Sequence, residues 1–413
     1  MSTFSGYIPE LPGIAIDCFE EHARSKGHVF FLSHCHADHM RGLALDAPLP
    51  GPLYLSPVSS VLIRHRYPVH ANIVRSLSAR EQLALTINPL SGEEKYELYV
   101  RTVPAEHCPG SVMFYFETKS IRVLYTGDFR LTEQTRFTMQ QAHIRPLVVY
   151  LDSTFLNSEY AYFPSRDEST RQIVSLCSEW LAANKRNIVS LWLPANYGSE
   201  DLFQQLYEQL HEKIHINESQ RGPYMHFLAL NEILTNDNAA RIHACNGILQ
   251  PQRGLPCRKI TENEDETIFI RTIRPSALRW RGLQRHEPCW KQSDRLFYVC
   301  YSAHASYNEL AQFIRSLQPD ARDIRFNVIM NEADRIQKEH HKAAILDGEH
   351  YNPISSSNIY QTINEQEDDQ EMSNSLHLER IMYKTHVNLT ENDDSEDIDD
   401  CPYNQFTKRL RTE

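Results

Sequence analysis

Short apolar runs bounded by turn residues dominate the first third of the chain. Between about residues 29 and 155 the segments VFFLS, LYVRTV, VMFYFET, IRVLYTGD and LVVYLD read as β-strands. Several end in a His or an Asp, and a side chain at a strand end or in the next loop is held by the sheet while staying open to solvent. From about 156 to 245 helical and strand patterns alternate. SRDESTRQIVSLCSEWLAAN predicts a helix with Ser165 as N-cap and Glu168 three residues on, and NIVSLWL and KIHINE predict strands. From about 246 to 295 Pro, Arg and Gly break the pattern, and no element can be drawn. LFYVCYSAH then restores a strand that runs into a polar loop, and SYNELAQFIRSL has the spacing of an amphipathic helix. Beyond about 345 the chain is polar, acidic and poor in apolar residues, which predicts a disordered tail.

Composition narrows the class. The 413 residues suffice for two or three domains with a sizeable core. No apolar run reaches the length of about 18 residues that a membrane span needs, and MSTFSGYIPELPG lacks the basic and apolar parts of a secretory signal, so a place inside the cell, away from membranes, is expected. Nine cysteines at irregular spacing then point to reduced thiols or metal ligands instead of a disulfide framework. The net charge of -12 is unevenly spread. Residues 365–400 hold thirteen acids against Arg380 and Lys384, a net of -11, which leaves about -1 for everything else. A nearly neutral body can present a local basic groove, so anionic substrates stay open. The cluster KRLR at Lys408 to Arg411 is a weak candidate for nuclear import, as such short basic runs are common.

FLSHCHADHM carries the densest chemistry. His34 and His36 lie one residue apart, so at the end of the VFFLS strand both point to the same side and can share an ion. Asp38 and His39 follow where the chain is expected to turn into a helix over ADHMRGLAL, which swings them toward a neighbouring position. The spacing thus predicts two metals close together. His107 in PAEHCPGS and Asp128 in LYTGDFR supply further ligands at strand ends beside glycines. Imidazole and carboxylate without thiolate suit Zn(II) best, with Mn(II) or Mg(II) as candidates for the second position. A pair of such ions can lower the pKa of a shared water to about 7 and hold both oxygens of an in-line displacement at phosphorus, so the site predicts a hydrolase without a Ser or Cys nucleophile. Asp17 in GIAIDCF and Asp152 in VVYLDST are strand-end carboxylates that bind the metals or orient the histidines.

H-x-H-x-D-H at His34 to His39, with His107 and Asp128, resembles the metallo-β-lactamase family, an αββα sandwich with its metals at one edge. YLDSTF with Asp152 and RIHAC with His243 resemble the nucleic-acid branch, the β-CASP nucleases, whose RNA-processing members have a metal-binding His where FNVIMNEA offers Val328. That favours the DNA-repair group. The order of FLSHCHADHM, AEHCPGSVMF, VLYTGDFRL, YLDSTF, PSR, YG-E-LF, IHAC and the SAHASY segment extends the likeness over about residues 1 to 335.

The resemblance implies an α/β protein with a metallo-β-lactamase domain from 1–155 and 302–345, a β-CASP domain at 156–301 and a disordered acidic tail at 346–413. It implies catalytic roles for Asp38, Asp17, Asp152 and His304. Members of the end-joining group carry an additional zinc in the β-CASP region, for which His215, His243, Cys245 and Cys257 are the candidates; His243-x-Cys245 is a chelating pair and Cys257 follows twelve residues on, compatible with a closed His2Cys2 site. Ser302, His304 and Arg166 fall where such nucleases grip phosphate. The family departs here at Ala37 and Pro194, where basic residues are common. The implied activity is metal-dependent endonuclease action in non-homologous end joining, opening hairpins and trimming overhangs at single-strand/double-strand junctions. The implied setting is a nuclear monomer, with the DNA-dependent protein kinase catalytic subunit and the end-joining ligase as partners. A 5′ exonuclease of crosslink repair or telomere maintenance is the nearest alternative. A small-molecule hydrolase, or a metal-dead scaffold, is the alternative of another class; the long insertion and the complete ligand set count against them.

Overall fold

The computed structural model describes residues 2–348 except 46, 80, 90, 91, 93, 194, 196, 246–254, 256, 258–267, 294 and 295, so Pro194 and the acidic tail lie outside the described residues. Two sheets lie face to face. The first has four parallel strands in chain order, Ile14–Ile16, Val29–Leu32, Leu53–Leu55 and Val74–Ser76. The second has six, ordered Asp323–Phe326, Val148–Leu151, Arg122–Tyr125, Val112–Glu117, Tyr96–Pro104 and Gln82–Ile87.

Alternation along the strands explains the layering, because successive residues leave a strand on opposite faces. Ile14, Ile16 and Phe31 of the first sheet meet Phe114, Phe116, Tyr125 and Tyr150 of the second. The Phe31 ring stands 5.2 Å from Phe114 and 5.0 Å from Phe116 in edge-to-face contacts. On the far side of the six-stranded sheet Met113, Tyr115, Leu124 and Leu151 pack against Leu310, Phe313 and Ile314 of the helix Tyr307–Ser316. On the far side of the four-stranded sheet Phe30, Leu32 and Leu53 pack against Leu62 and Ile63 of the helix Pro57–Arg66. Both faces of both sheets are therefore covered, which is why the strands read as continuous apolar runs.

A third sheet is built from the chain between the sandwich strands Val148–Leu151 and Asp323–Phe326. Its seven strands run Leu234–Thr235, Ile214–His215, Ile242–His243, Asn187–Leu191, Phe269–Ser276, Leu296–Cys300 and Trp290–Ser293, all parallel except the last pair. The helix Arg166–Ala183 opens this segment, and the Ser165 hydroxyl accepts the Glu168 N–H at its start. After it the chain returns to the sandwich, where Asp323–Phe326 pairs in parallel with Val148–Leu151.

Two expectations fail for identifiable reasons. ADHMRGLAL forms only a single 3-10 turn, Ala37–His39. Gly42 takes φ +85, and a Cβ there would stand 2.1 Å from the Phe19 carbonyl oxygen, so the chain turns away instead of continuing a helix. Gly42→Ala is expected to cost about 3 kcal/mol, the upper range for a point change, read as a drop in the denaturation midpoint. The segment from 246 onward, which gave no pattern, contains the eight-residue strand Phe269–Ser276. Its arginines disguise it: Arg271 lies 4.5 Å over the Phe297 ring and Arg274 lies 3.9 Å over Trp192, so charged heads on apolar stems occupy positions where a strand is usually read from aliphatic residues.

Candidate metal centre

The chemistry-bearing residues collect where the strands end. Asp17 follows Ile14–Ile16, His34 and His36 follow Val29–Leu32, Asp128 follows Arg122–Tyr125, Asp152 follows Val148–Leu151, and His304 follows Leu296–Cys300. Carboxyl ends of parallel strands open into a crevice, and here strands of all three sheets end at the same one. His107, after Tyr96–Pro104, completes the ring.

At the middle is one oxygen. Asp128 Oδ2 lies 3.3 Å from His39 Nε2, 3.6 Å from His107 Nε2, 3.7 Å from His34 Nε2 and 3.9 Å from His304 Nε2. His36 Nδ1 is 2.9 Å from His107 Nε2 and 3.1 Å from His34 Nε2. One ligand atom each from His34, His36, His107 and Asp128 falls within a single 4.8 Å cluster; Asp128, Asp152 and His304 form an overlapping one.

The opposite edge of each imidazole is already used. Nδ1 of His39 bonds Asp17 Oδ2 at 2.8 Å, Nδ1 of His107 bonds the Ala303 carbonyl at 3.0 Å, Nδ1 of His304 bonds Asp152 Oδ2 at 2.9 Å, and Nε2 of His36 bonds the Tyr197 carbonyl at 3.0 Å. Each of these N–H groups donates outward, which leaves the other nitrogen with its lone pair facing the centre. Asp17 is itself fixed, accepting the Ser33 N–H and hydroxyl at 2.7 and 2.5 Å. Asp152 accepts from Thr154 N–H and hydroxyl at 3.0 and 2.7 Å.

Electrostatics fit the same picture. Burial, then the neighbouring imidazoles, pushes His34 well below its ordinary value, and burial does the same for His107. His39 goes the other way: burial opposes its proton, but Asp128, Asp38 and Asp17 together hold it well above the usual range. Asp128 is held far below the carboxylate range against the cost of burial by His39 and His304. A crowd of buried imidazoles around carboxylates thus favours protons on His39 and His304, and a divalent cation would supply positive charge in their place. The buried His39 Nε2 has no hydrogen-bond partner among the described residues. Lone pairs converging on a carboxylate, with tautomers fixed from behind, fit a divalent metal.

Other sequence candidates sit around this core. Asp38 Oδ2 accepts the Ser2 N–H at 2.7 Å and stands 3.7 Å from His39 Nε2 at the rim. The Ser302 hydroxyl is turned into its own loop, donating to the His304 carbonyl at 2.9 Å and accepting the His304 N–H. Arg166 donates to the His107 carbonyl and lies 3.6 Å from Glu106 and 3.8 Å from Asp201. The helix after His304 is capped by Ser306, which leaves the His304 ring to Asp152. Val328 donates its N–H to the Ser153 hydroxyl, beside Asp152.

A second cluster lies in the inserted sheet. His215 and His243 are register partners on adjacent parallel strands, and Cys245 and Cys257 close on them: Cys257 Sγ is 3.3 Å from His243 Nδ1 and 3.5 Å from Cys245 Sγ. One ligand atom from each of the four falls within 4.8 Å. The Cys245 thiol donating to it, with the imidazoles of His215 and His243, pulls Cys257 far below the ordinary thiol range. His215 Nδ1 is buried without a partner among the described residues. The donor set fits a closed tetrahedral zinc.

Sequence reasoning passed over two groups. Arg130 is buried and ties the loops together, with Glu309 at 2.9 Å and the carbonyls of Ser302 and Pro164 at 2.8 and 2.9 Å; nothing in GDFRL marks it as a buried cation. Tyr197 acts through its backbone carbonyl, which leaves no trace in residue type.

A family profile described as DNA repair metallo-beta-lactamase matches residues 228–329. The chain is 33% identical over 342 residues to Protein artemis of Gallus gallus and 34% over 345 residues to Protein artemis of Homo sapiens, covering 77% of this chain and 47% and 48% of those proteins. It is 31% identical over 326 residues to 5′ exonuclease Apollo of Mus musculus, covering 76% of this chain and 53% of that one. The chain spans about half the length of the curated relatives it matches.

Proposed function

We propose, for a chain that belongs to the DNA-repair branch of the metallo-β-lactamase family, that it is a metal-dependent endonuclease acting on DNA ends, opening hairpins and trimming overhangs as in non-homologous end joining. The observation that carries this reading is the convergence of the free nitrogens of four imidazoles on Asp128 Oδ2 at the mouth of the crevice.

His34, His36, His107 and Asp128 would hold one divalent ion, and His39 and Asp38 together with Asp128 would hold a second, with Asp152 and His304 standing beside it. Zn(II) is the best match for the first, where Mn(II) can replace it, and Mn(II) or Mg(II) suits the more oxygen-rich second position. Such ions, when bound, supply Lewis-acid activation of water and neutralise charge at the phosphate. The chain does the rest. Asp17 and Asp152 hold His39 and His304 in one tautomer. His304, partly exposed and raised in pKa by Asp152 and Asp128 against its burial, carries a proton toward the phosphate and contacts its oxygens. Arg166 keeps the His107 loop in place, so its phosphate role is secondary.

The cluster of His215, His243, Cys245 and Cys257, which would hold a structural zinc, supports the end-joining reading over the crosslink-repair or telomeric 5′ exonuclease, which the Apollo likeness keeps as a second reading. We take residues 1–155 with 302–345 as the sandwich and 156–301 as the inserted unit, with DNA between them and nuclear, monomeric action. A DNA-dependent protein kinase catalytic subunit and an end-joining ligase are the expected partners.

Asp38→Asn provides the test. Its carboxylate stands at the rim, so the variant is expected to keep its fold and lose about 10³-fold in cleavage of an end-labelled hairpin. Full cleavage by the folded variant would rule out Asp38 and the two-ion arrangement.

A further inference from the structure

Among the imidazoles of the centre, His36 is held from a different direction. The outer partners of His39, His107 and His304 are Asp17, Ala303 and Asp152, all within the sandwich. His36 donates instead to the carbonyl of Tyr197, in the loop before the helix Glu200–Leu210 of the inserted unit.

The other end of that same peptide group is also engaged. Gly198 N–H donates to Glu200 Oε1 at 3.1 Å. In a trans peptide the C=O and N–H point in opposite directions, so one planar unit links the Glu200 carboxyl on one side to the His36 imidazole on the other. An oxygen that accepts from the N–H polarises the peptide whether that oxygen is charged or neutral, and a polarised carbonyl is a stronger acceptor for the imidazole N–H. The arrangement is a carboxylate–histidine pair with one peptide inserted, and such outer partners fix the tautomer and raise the basicity of the inward nitrogen.

The surroundings are built for this. Glu200 is 1% exposed, its Oε1 also accepts the Tyr224 hydroxyl at 2.5 Å, and its Oε2 is buried without a hydrogen-bond partner among the described residues. The Tyr197 ring stacks on Tyr224 at 6.2 Å, and its hydroxyl donates to the Pro109 carbonyl at 3.0 Å, beside the His107 loop. Gly198 sits at φ +109, where a Cβ would stand 3.0 Å from His36 Nε2, so the close approach requires glycine.

Resting on the metal-centre reading above, we propose that Glu200 is a positioning residue: through the Tyr197–Gly198 peptide it sets the tautomer and donor strength of His36, making the first ion's affinity depend on the seating of the inserted unit.

The test uses the full chain with zinc kept at the thiolate cluster and the first cluster stripped by a chelator. Mn(II) is titrated and free Mn(II) read by electron paramagnetic resonance, and the His36 Nε2–H signal is followed by ¹⁵N-histidine NMR without metal. Glu200→Ala is expected to lose that protected signal and to bind Mn(II) about 10-fold more weakly. Glu200→Gln, which keeps the Oε1 acceptor, should restore both to within about threefold, a rescue that a merely structural role would not give. Should Glu200→Ala fail to fold, Tyr224→Phe, which removes one bond to Oε1, is expected to weaken Mn(II) binding and broaden the His36 signal. A folded Glu200→Ala with the parent's signal and Mn(II) affinity overturns the inference, as does Tyr224→Phe unchanged in both when alanine does not fold. A parent chain that takes up no Mn(II) at the first cluster contradicts the metal-centre reading instead, and the metal-free His36 signal still decides the link from Glu200 through the Tyr197–Gly198 peptide.

Discussion

Asp128→Asn is expected to remove metal from the first cluster and to lower DNA cleavage by about 10³-fold or more, with the sandwich still folded. Four imidazole nitrogens surround Asp128 Oδ2 within 3.3 to 3.9 Å, and every one of their outer edges is committed elsewhere or buried. An amide brings no negative charge to that position, and in half of its rotamers it points an N–H₂ group at lone pairs. The proton on His39 gives an independent check. After the opposing effect of burial, Asp128 is the largest influence holding that proton, so His39 in the variant should titrate at a lower pH than in the parent. Metal analysis, cleavage rate and the His39 titration by NMR together read the change. A variant with unaltered metal content and cleavage would show that Asp128 is not the hub of the centre.

Cys257→Ser should act far from the crevice and through the fold. The four donors come from neighbouring short strands and the residues after them, and the two-residue strands Ile214–His215 and Ile242–His243 each bring one apolar side chain, Ile214 and Ile242, to the core. A zinc closing this cluster contributes folding energy directly, because ligands and ion come together only in the native state. Loss of one thiolate is expected to remove one zinc per chain and to destabilise the inserted unit by about 3 kcal/mol or more, within the range for loss of a metal site. Zinc analysis and thermal unfolding followed by fluorescence measure both effects. Equal zinc content in the variant and the parent would remove the ground for a second metal site.

How much could be read from the chain depended on the kind of contact. The strands VFFLS, VMFYFET and LVVYLD were legible because both their faces are buried, and the first and last of them end two residues and one residue before His34 and Asp152. His34, His36, His39 and Asp128 were legible because ligand type and spacing are properties of sequence. The strand Phe269–Ser276 was hidden by arginines that lie over aromatic rings, and the turn at Gly42 depends on the distant carbonyl of Phe19. The holding of His36 by a backbone carbonyl from residue 197, and the burial of Arg130 under Ser302, Pro164 and Glu309, arise only when separate segments meet. Periodicity reports which face of an element is buried; it carries no information on which remote peptide group will fill the outer edge of an imidazole.

The central claim is that this centre cuts DNA internally at ends. Its most direct test is the map of products formed by the purified full chain from one hairpin DNA labelled at its 5′ end, incubated with Mg(II) or Mn(II) and low salt, since phosphate contacts weaken as salt rises. The account predicts cuts at or within a few nucleotides of the hairpin tip, abolished by a chelator and restored by added metal. A ladder that begins only at the free 5′ end, or cleavage that persists without divalent metal, would contradict it.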